Sequence, residues 1–171
     1  MATKTLRLII SQSIGAFFLL SASVALTLAF HFLHISGSVF LPLYFIVILG
    51  AYTMAPQFSL ATAIIIPLLN YLLTGMPPTS PIPMLQILVI ELCALALATT
   101  YLRKTNLFLG IKLLSSIVIA RFSAILLVTS SMISWSFFVN HLLESVPGIL
   151  LNTLLAYFVL SFLKNERNEN S

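Results

Sequence analysis

Residues 67–91 read PLLNYLLTGMPPTSPIPMLQILVIE. Two apolar runs meet here across a segment that carries Pro77, Pro78, Pro81 and Pro83. Proline fixes φ, lacks an N–H and turns the residue before it away from helix. Gly75, just ahead, suits a helix C-cap. The spacing therefore predicts a helix, a stiff uncharged loop and a second helix. Asn70 lies just before the loop, and Gln86 and Glu91 just after it. Two readings stand: a plain turn between membrane helices, or a rigid lid beside a few polar groups.

The composition fixes the setting. Of 171 residues, 60% are hydrophobic and only 7% charged, and the mean hydropathy is +1.11. Soluble domains carry about 25% charged residues, so this much apolar surface has to face lipid. Long, largely apolar runs such as 107–119 argue against the alternating strands of a barrel. The expected class is an all-α integral membrane protein, because backbone polar groups in lipid must be satisfied within each segment.

Six apolar runs predict six transmembrane helices in a single domain, over 8–33, 39–54, 58–74, 84–102, 107–131 and 148–163, with a polar tail at 164–171. The first run exceeds the ~7–15-residue core of a signal peptide, so it is expected to be retained. Pro42 falls in a first helical turn, where proline is tolerated. Pro67 predicts a kink or an early end to the third span. Trp135 and the polar Asn140, His141 and Glu144 mark a membrane interface between the last two spans.

The net charge of +4 does not point to nucleic acid. Lys4, Arg7, Arg103, Lys104, Lys112, Lys164 and Arg167 fall on the side shared by both termini and the 2–3 and 4–5 loops. The positive-inside rule then places both termini in the cytoplasm of a multi-pass protein of the cytoplasmic membrane. The proline loop, His34 and Glu144 face outward.

Two ionisable groups sit inside apolar spans, Glu91 and Arg121. Such groups are costly in lipid and mark either function or a mutual pair. At 1.5 Å per residue, Glu91 lies ~10 Å and Arg121 ~15 Å from the outer ends of their spans, and Asn152 lies ~6–10 Å deep. Asn70, Gln86, Glu91, Arg121, Asn152 and His34 are thus the expected substrate-binding groups in the outer half of the membrane. Arg121 offers a planar fork of donors suited to a carboxylate or carbonyl, and the amides supply neutral donors and acceptors. The alternative is a Glu91–Arg121 tie that only joins two helices.

Enzyme signatures are absent from the sequence. It has no Gly-Lys-Ser/Thr, no H-E-x-x-H and no G-x-S-x-G, and it contains no aspartate. No catalytic activity and no cofactor are expected. His31 and His34 lack further ligands for a metal. Cys93, alone in an apolar run, is read as a buried, inert thiol. On the first helix Ser21, Ala25 and Ala29 recur every fourth residue, a pattern that lets helices approach closely. It serves either packing within the protein or docking of a partner.

Three segments then carry a resemblance: FHFLHISGSVFLPLYF (30–45), PLLNYLLTGMPP (67–78) and PMLQILVIEL (83–92). Over about residues 8–102 the chain resembles a substrate-binding S component of an energy-coupling factor (ECF) transporter, with Thr-Gly-Met-Pro-Pro the most specific element. The resemblance implies six helices, cytoplasmic termini and capture of a vitamin-like solute under loops 1–2 and 3–4. It also implies docking of a membrane scaffold subunit through an Ala-x-x-x-Ala pattern, matched by Ala25 and Ala29, with ATP hydrolysed by two separate ATPase subunits. Where relatives often carry Met-His after Leu-Pro, this chain carries Leu43–Tyr44. The competing expectations are a non-transporting membrane scaffold of the cell-wall machinery type and a small proton-coupled carrier. The carrier would need titrating groups through both membrane halves.

Overall fold

Every element among the described residues is a helix. The structure, a computed structural model, describes residues 2–33, 42–75, 77, 79, 80, 82–130 and 132–169. His34, Pro78, Pro81 and the side chains of Lys4, Lys164 and Arg167 lie outside that set. The helices are α1 (Ala2–Phe32), α2 (Pro42–Thr53), α3 (Pro56–Thr74), α4 (Met84–Leu102), α5 (Leu109–Ser123), α6 (Ile125–Thr129), α7 (Trp135–Glu144) and α8 (Val146–Glu169).

Five helical stretches are long and apolar enough to cross a membrane: Leu6–Phe32, Pro56–Thr74, Met84–Leu102, Leu109–Thr129 and Val146–Leu163. The sixth, α2, has 12 residues, or ~18 Å of helix, which is short of the ~30 Å hydrocarbon core. It sits at the centre of the fold. Leu43, Tyr44, Ile46, Val47, Ile48, Gly50 and Ala51 are all buried, and α2 packs on α1, α3, α4 and α8. The others form an arc around it, α1 on α3, α3 on α4, α4 on α5 and α5 on α8. A helix apolar on every side belongs in such an interior. The outer faces carry Phe17, Phe18, Leu72, Phe158 and Phe162, all well exposed and suited to lipid. The fold is thus a single-domain, all-α, multi-pass membrane protein.

Lipid tails are as apolar as leucine, so close contact rather than the hydrophobic effect holds such helices together. A Cβ on Gly15 would stand 2.9 Å from Met54 Cε, and one on Gly50 would stand 3.1 Å from Leu19 Cδ1. Two glycines therefore let α1 and α2 come together. At the same end of the bundle, polar side chains tie up open backbone groups. Ala55 N–H donates to Gln12 Oε1 at 2.8 Å. Arg103 Nη1 donates to the carbonyls of Ala51 and Met54, capping the C-terminus of α2. Lys112 Nζ donates to the carbonyl of Thr105. Arg103→Met should cost ~1.5 kcal/mol, the low end for hydrogen bonds to a charged group, since the side chain is half-buried. Thermal unfolding in detergent micelles, read by circular dichroism, measures it; an unchanged midpoint would mean that water caps α2 equally well.

α3 runs through Pro67 to Thr74, so the proline does not end the helix early; membrane helices tolerate an interior proline because neighbouring groups re-satisfy the released backbone. It stops at Gly75, whose φ of 70° places it in the left-handed region and whose N–H donates to Tyr71 O, as the C-cap reading predicts. The fifth run is divided: α5 ends at Ser123 and α6 restarts at Ile125, so Arg121 lies one turn from a helix end. The interface segment at 135–144 is itself a helix, α7, opened by Ser134, whose Oγ accepts from Phe137 N–H at 3.2 Å. Ser at an N-cap is the expected start signal.

Candidate functional site

The site forms at the end of the bundle opposite Arg103 and Lys112. Tyr44 lies in the first turn of α2, Glu91 two turns into α4, Arg121 in the last turn of α5 and His141 near the end of α7. Tyr44 is fully buried, and Glu91 and Arg121 are each 1% exposed.

Their contacts interlock. Arg121 Nη1 stands 2.8 Å from both Glu91 Oε1 and Oε2. Tyr44 Oη donates to Glu91 Oε2 at 2.8 Å, while its ring faces the Arg121 guanidinium, with Cζ 5.4 Å from the ring centroid. His141 Nε2 lies 2.8 Å from Arg121 Nη1 and 3.6 Å from Glu91 Oε1. Its ring stacks on Phe137 one turn back, at 5.5 Å and 14°. A buried ion pair is more tolerable where further hydrogen bonds engage it; here Tyr44 donates to Glu91 Oε2 and His141 Nε2 faces Arg121 Nη1. The formal charge of the cluster is zero with the imidazole neutral.

A second apolar cluster surrounds this end. Ile87, Ala124, Leu127, Ile133 and Phe138 are its buried members, with Ile82, Met84, Ile125 and Phe137 packed against them. Ile82 belongs to the proline loop and Phe138 to α7, so loop and short helix close over the same apolar layer.

The structure joins Glu91 to Arg121 and distributes the other expected groups. Gln86 is exposed on the first turns of α4. Asn70 is fully buried but turned toward α1: its Nδ2 donates to Ile66 O at 2.9 Å and to Ser23 Oγ at 3.3 Å. Asn152 is buried on α8 and donates to Gly148 O at 2.7 Å. His34 lies outside the described residues. Two members of the cluster are not among the groups the sequence points to: Tyr44 stands there only as a departure from a family pattern, and His141 only as interface polarity. The signal for His141 was present: behind the Ser134 cap, Phe137, Phe138 and His141 share one face of a helix. Ser21, Ala25 and Ala29 are all exposed on α1, so helices of the described chain do not cover the stripe. Ser21 and Ala25 line a shallow apolar groove with Phe17, Leu28, Leu69 and Leu73. Among the described residues no group of three or more His, Cys, Asp or Glu is placed to hold a metal ion.

No protein-family model, curated protein or solved structure matches the chain. Fold and composition define a multi-pass α-helical membrane protein, with one neutral, buried polar cluster at one end.

Proposed function

We propose that this chain is the substrate-capture S subunit of an ECF-type ABC importer. It takes a small, water-soluble, vitamin-like solute at the extracellular side of the cytoplasmic membrane. It passes the solute through a separate module made of a transmembrane scaffold subunit and two ATPase subunits, and it catalyses nothing itself. The observation that carries this reading is the convergence of Tyr44, Glu91, Arg121 and His141 from four helices at the bundle end opposite the basic residues. Buried ionisable groups in a membrane bundle mark solute pathways by default. The likeness of residues 67–92 to S components adds the transporter class, and the exposed Ser21–Ala25–Ala29 stripe offers the scaffold a smooth face.

One feature favours a second reading, a non-transporting membrane scaffold. Both oxygens of Glu91 are held by Arg121 Nη1, as a helix tie would require. Native mass spectrometry of the purified chain separates the two. An S subunit brings down a bound small molecule and, from mild detergent, a scaffold with two ATPases. A chain free of small molecules and of ATPases supports the tie.

The orientation has its own test. The one-sided Lys and Arg distribution puts the proline loop outside. A cysteine at Thr79 is expected to react with an impermeant maleimide on intact cells, and one at Asn168 only after lysis; the Cys93→Ser background removes the native thiol. The opposite labelling would turn the protein over and remove extracellular capture.

A further inference from the structure

His141 points Nε2 at Arg121 Nη1 across 2.8 Å. A guanidinium has donors and no acceptor. That nitrogen therefore accepts, and the imidazole is neutral with its proton on Nδ1. His141 is also the most exposed of the four cluster side chains, at 9% against 1% or less. The helix that carries it has ten residues and packs on α6 and α8. Two inward side chains anchor it: Phe138, in the second apolar cluster, and His141, on the ion pair.

We propose that His141 is a proton-binding site that latches α7 across the Glu91–Arg121 pair: the neutral ring holds the helix down, and proton uptake on Nε2 releases it. A proton on Nε2 removes the lone pair that faces Arg121 and sets two cations 2.8 Å apart. The cluster changes from neutral to a net charge of +1, in surroundings where an unbalanced charge is expensive. Among the described residues, the titratable or charged groups facing the ring are Glu91 from α4, Arg121 from α5 and, through both of them, Tyr44 from α2. On α7 itself Glu144 is exposed, while α6 and the first turns of α8 bring no ionisable side chain. Among the described residues Glu91 Oε1 is the one counter-attraction, at 3.6 Å, and it is already engaged by Arg121. The least buried member is the one able to leave. The sign follows: the latched form needs the neutral ring, so it holds at higher pH and is lost as pH falls. This device stands whether or not the chain carries a solute.

The chain supplies its own reporter. Trp135, the single tryptophan, opens α7 and packs on Phe138 at 5.4 Å between ring centroids. The full chain in nanodiscs is titrated from pH ~8 to ~5 while Trp135 emission and its quenching by iodide are followed. The wild type is expected to show a one-proton transition to red-shifted, more quenchable emission. His141→Gln and His141→Asn keep a neutral amide for Arg121 and are expected to be flat across the same range. Hydrogen–deuterium exchange of the wild type, corrected for intrinsic pH dependence, is expected to rise in α7 peptides on acidification and not in α4. A flat wild-type titration, a protonated His141 that stays seated on Glu91 with α7 protected, or an unchanged transition in both variants would each overturn the latch.

Discussion

Arg121→Met is expected to lower the stability of the folded chain by ~3–5 kcal/mol, the range for breaking a buried ion pair by removing one partner. The cost does not come from a lost attraction alone. Glu91 would remain 1% exposed as an unbalanced carboxylate with Tyr44 as its remaining described donor. The double change Glu91→Leu with Arg121→Met removes both charges and should recover most of that loss, because apolar replacement of a buried pair is often neutral or stabilising. Unfolding of all three proteins against SDS mole fraction in mixed micelles reads both effects. If Arg121→Met is as stable as the parent, water reaches the pair and the burial described above is wrong. The folded double variant then isolates function. With a co-purified solute in hand, calorimetric titration is expected to show affinity reduced at least ten- to hundred-fold, the equivalent of ~1.5–3 kcal/mol per lost charge-assisted hydrogen bond. Unchanged affinity would reduce the pair to a helix tie.

Ala25→Trp and Ala29→Trp are expected to abolish co-purification with a scaffold subunit while leaving the fold intact. Both positions are exposed on α1, and exposed substitutions usually change stability by within ~0.5 kcal/mol. Ala25 borders the groove formed with Leu69 and Leu73. An indole there fills the depression and props a facing helix away at the point where small residues would allow closest approach. Pull-down from solubilised membranes, with circular dichroism to confirm helicity, measures the outcome. Full recovery of the complex by both variants would leave the stripe as lipid-facing surface.

These two experiments divide the protein as its physics does. The ion pair belongs to the interior and reports through stability first and affinity second. The stripe belongs to the lipid face and reports through association alone. The latch at His141 lies between them, on a short helix that is apolar on its inner side and ends near Glu144, at the bundle end where a charge is cheap to hydrate.

The apolar spans, the Gly75 cap and the membrane setting were legible in the chain, because each depends on local quantities: hydropathy over ~20 residues and proline and glycine chemistry. Pairing Glu91 with Arg121 was legible too, since two opposite charges in one bundle have few other places to go. Which way each helix faces was not. A soluble helix declares its inner face by alternating apolar and polar residues, whereas α2 is apolar on every side and lipid asks for nothing else. Rotation is set instead by packing, through the room left by Gly15 and Gly50 between α1 and α2. Only the tertiary structure therefore turned Asn70 toward Ser23, left Gln86 exposed and brought in Tyr44, 47 residues from Glu91, and His141, 20 residues from Arg121. A buried charge takes whatever donors and acceptors the packed helices present to it, and that choice is made in three dimensions.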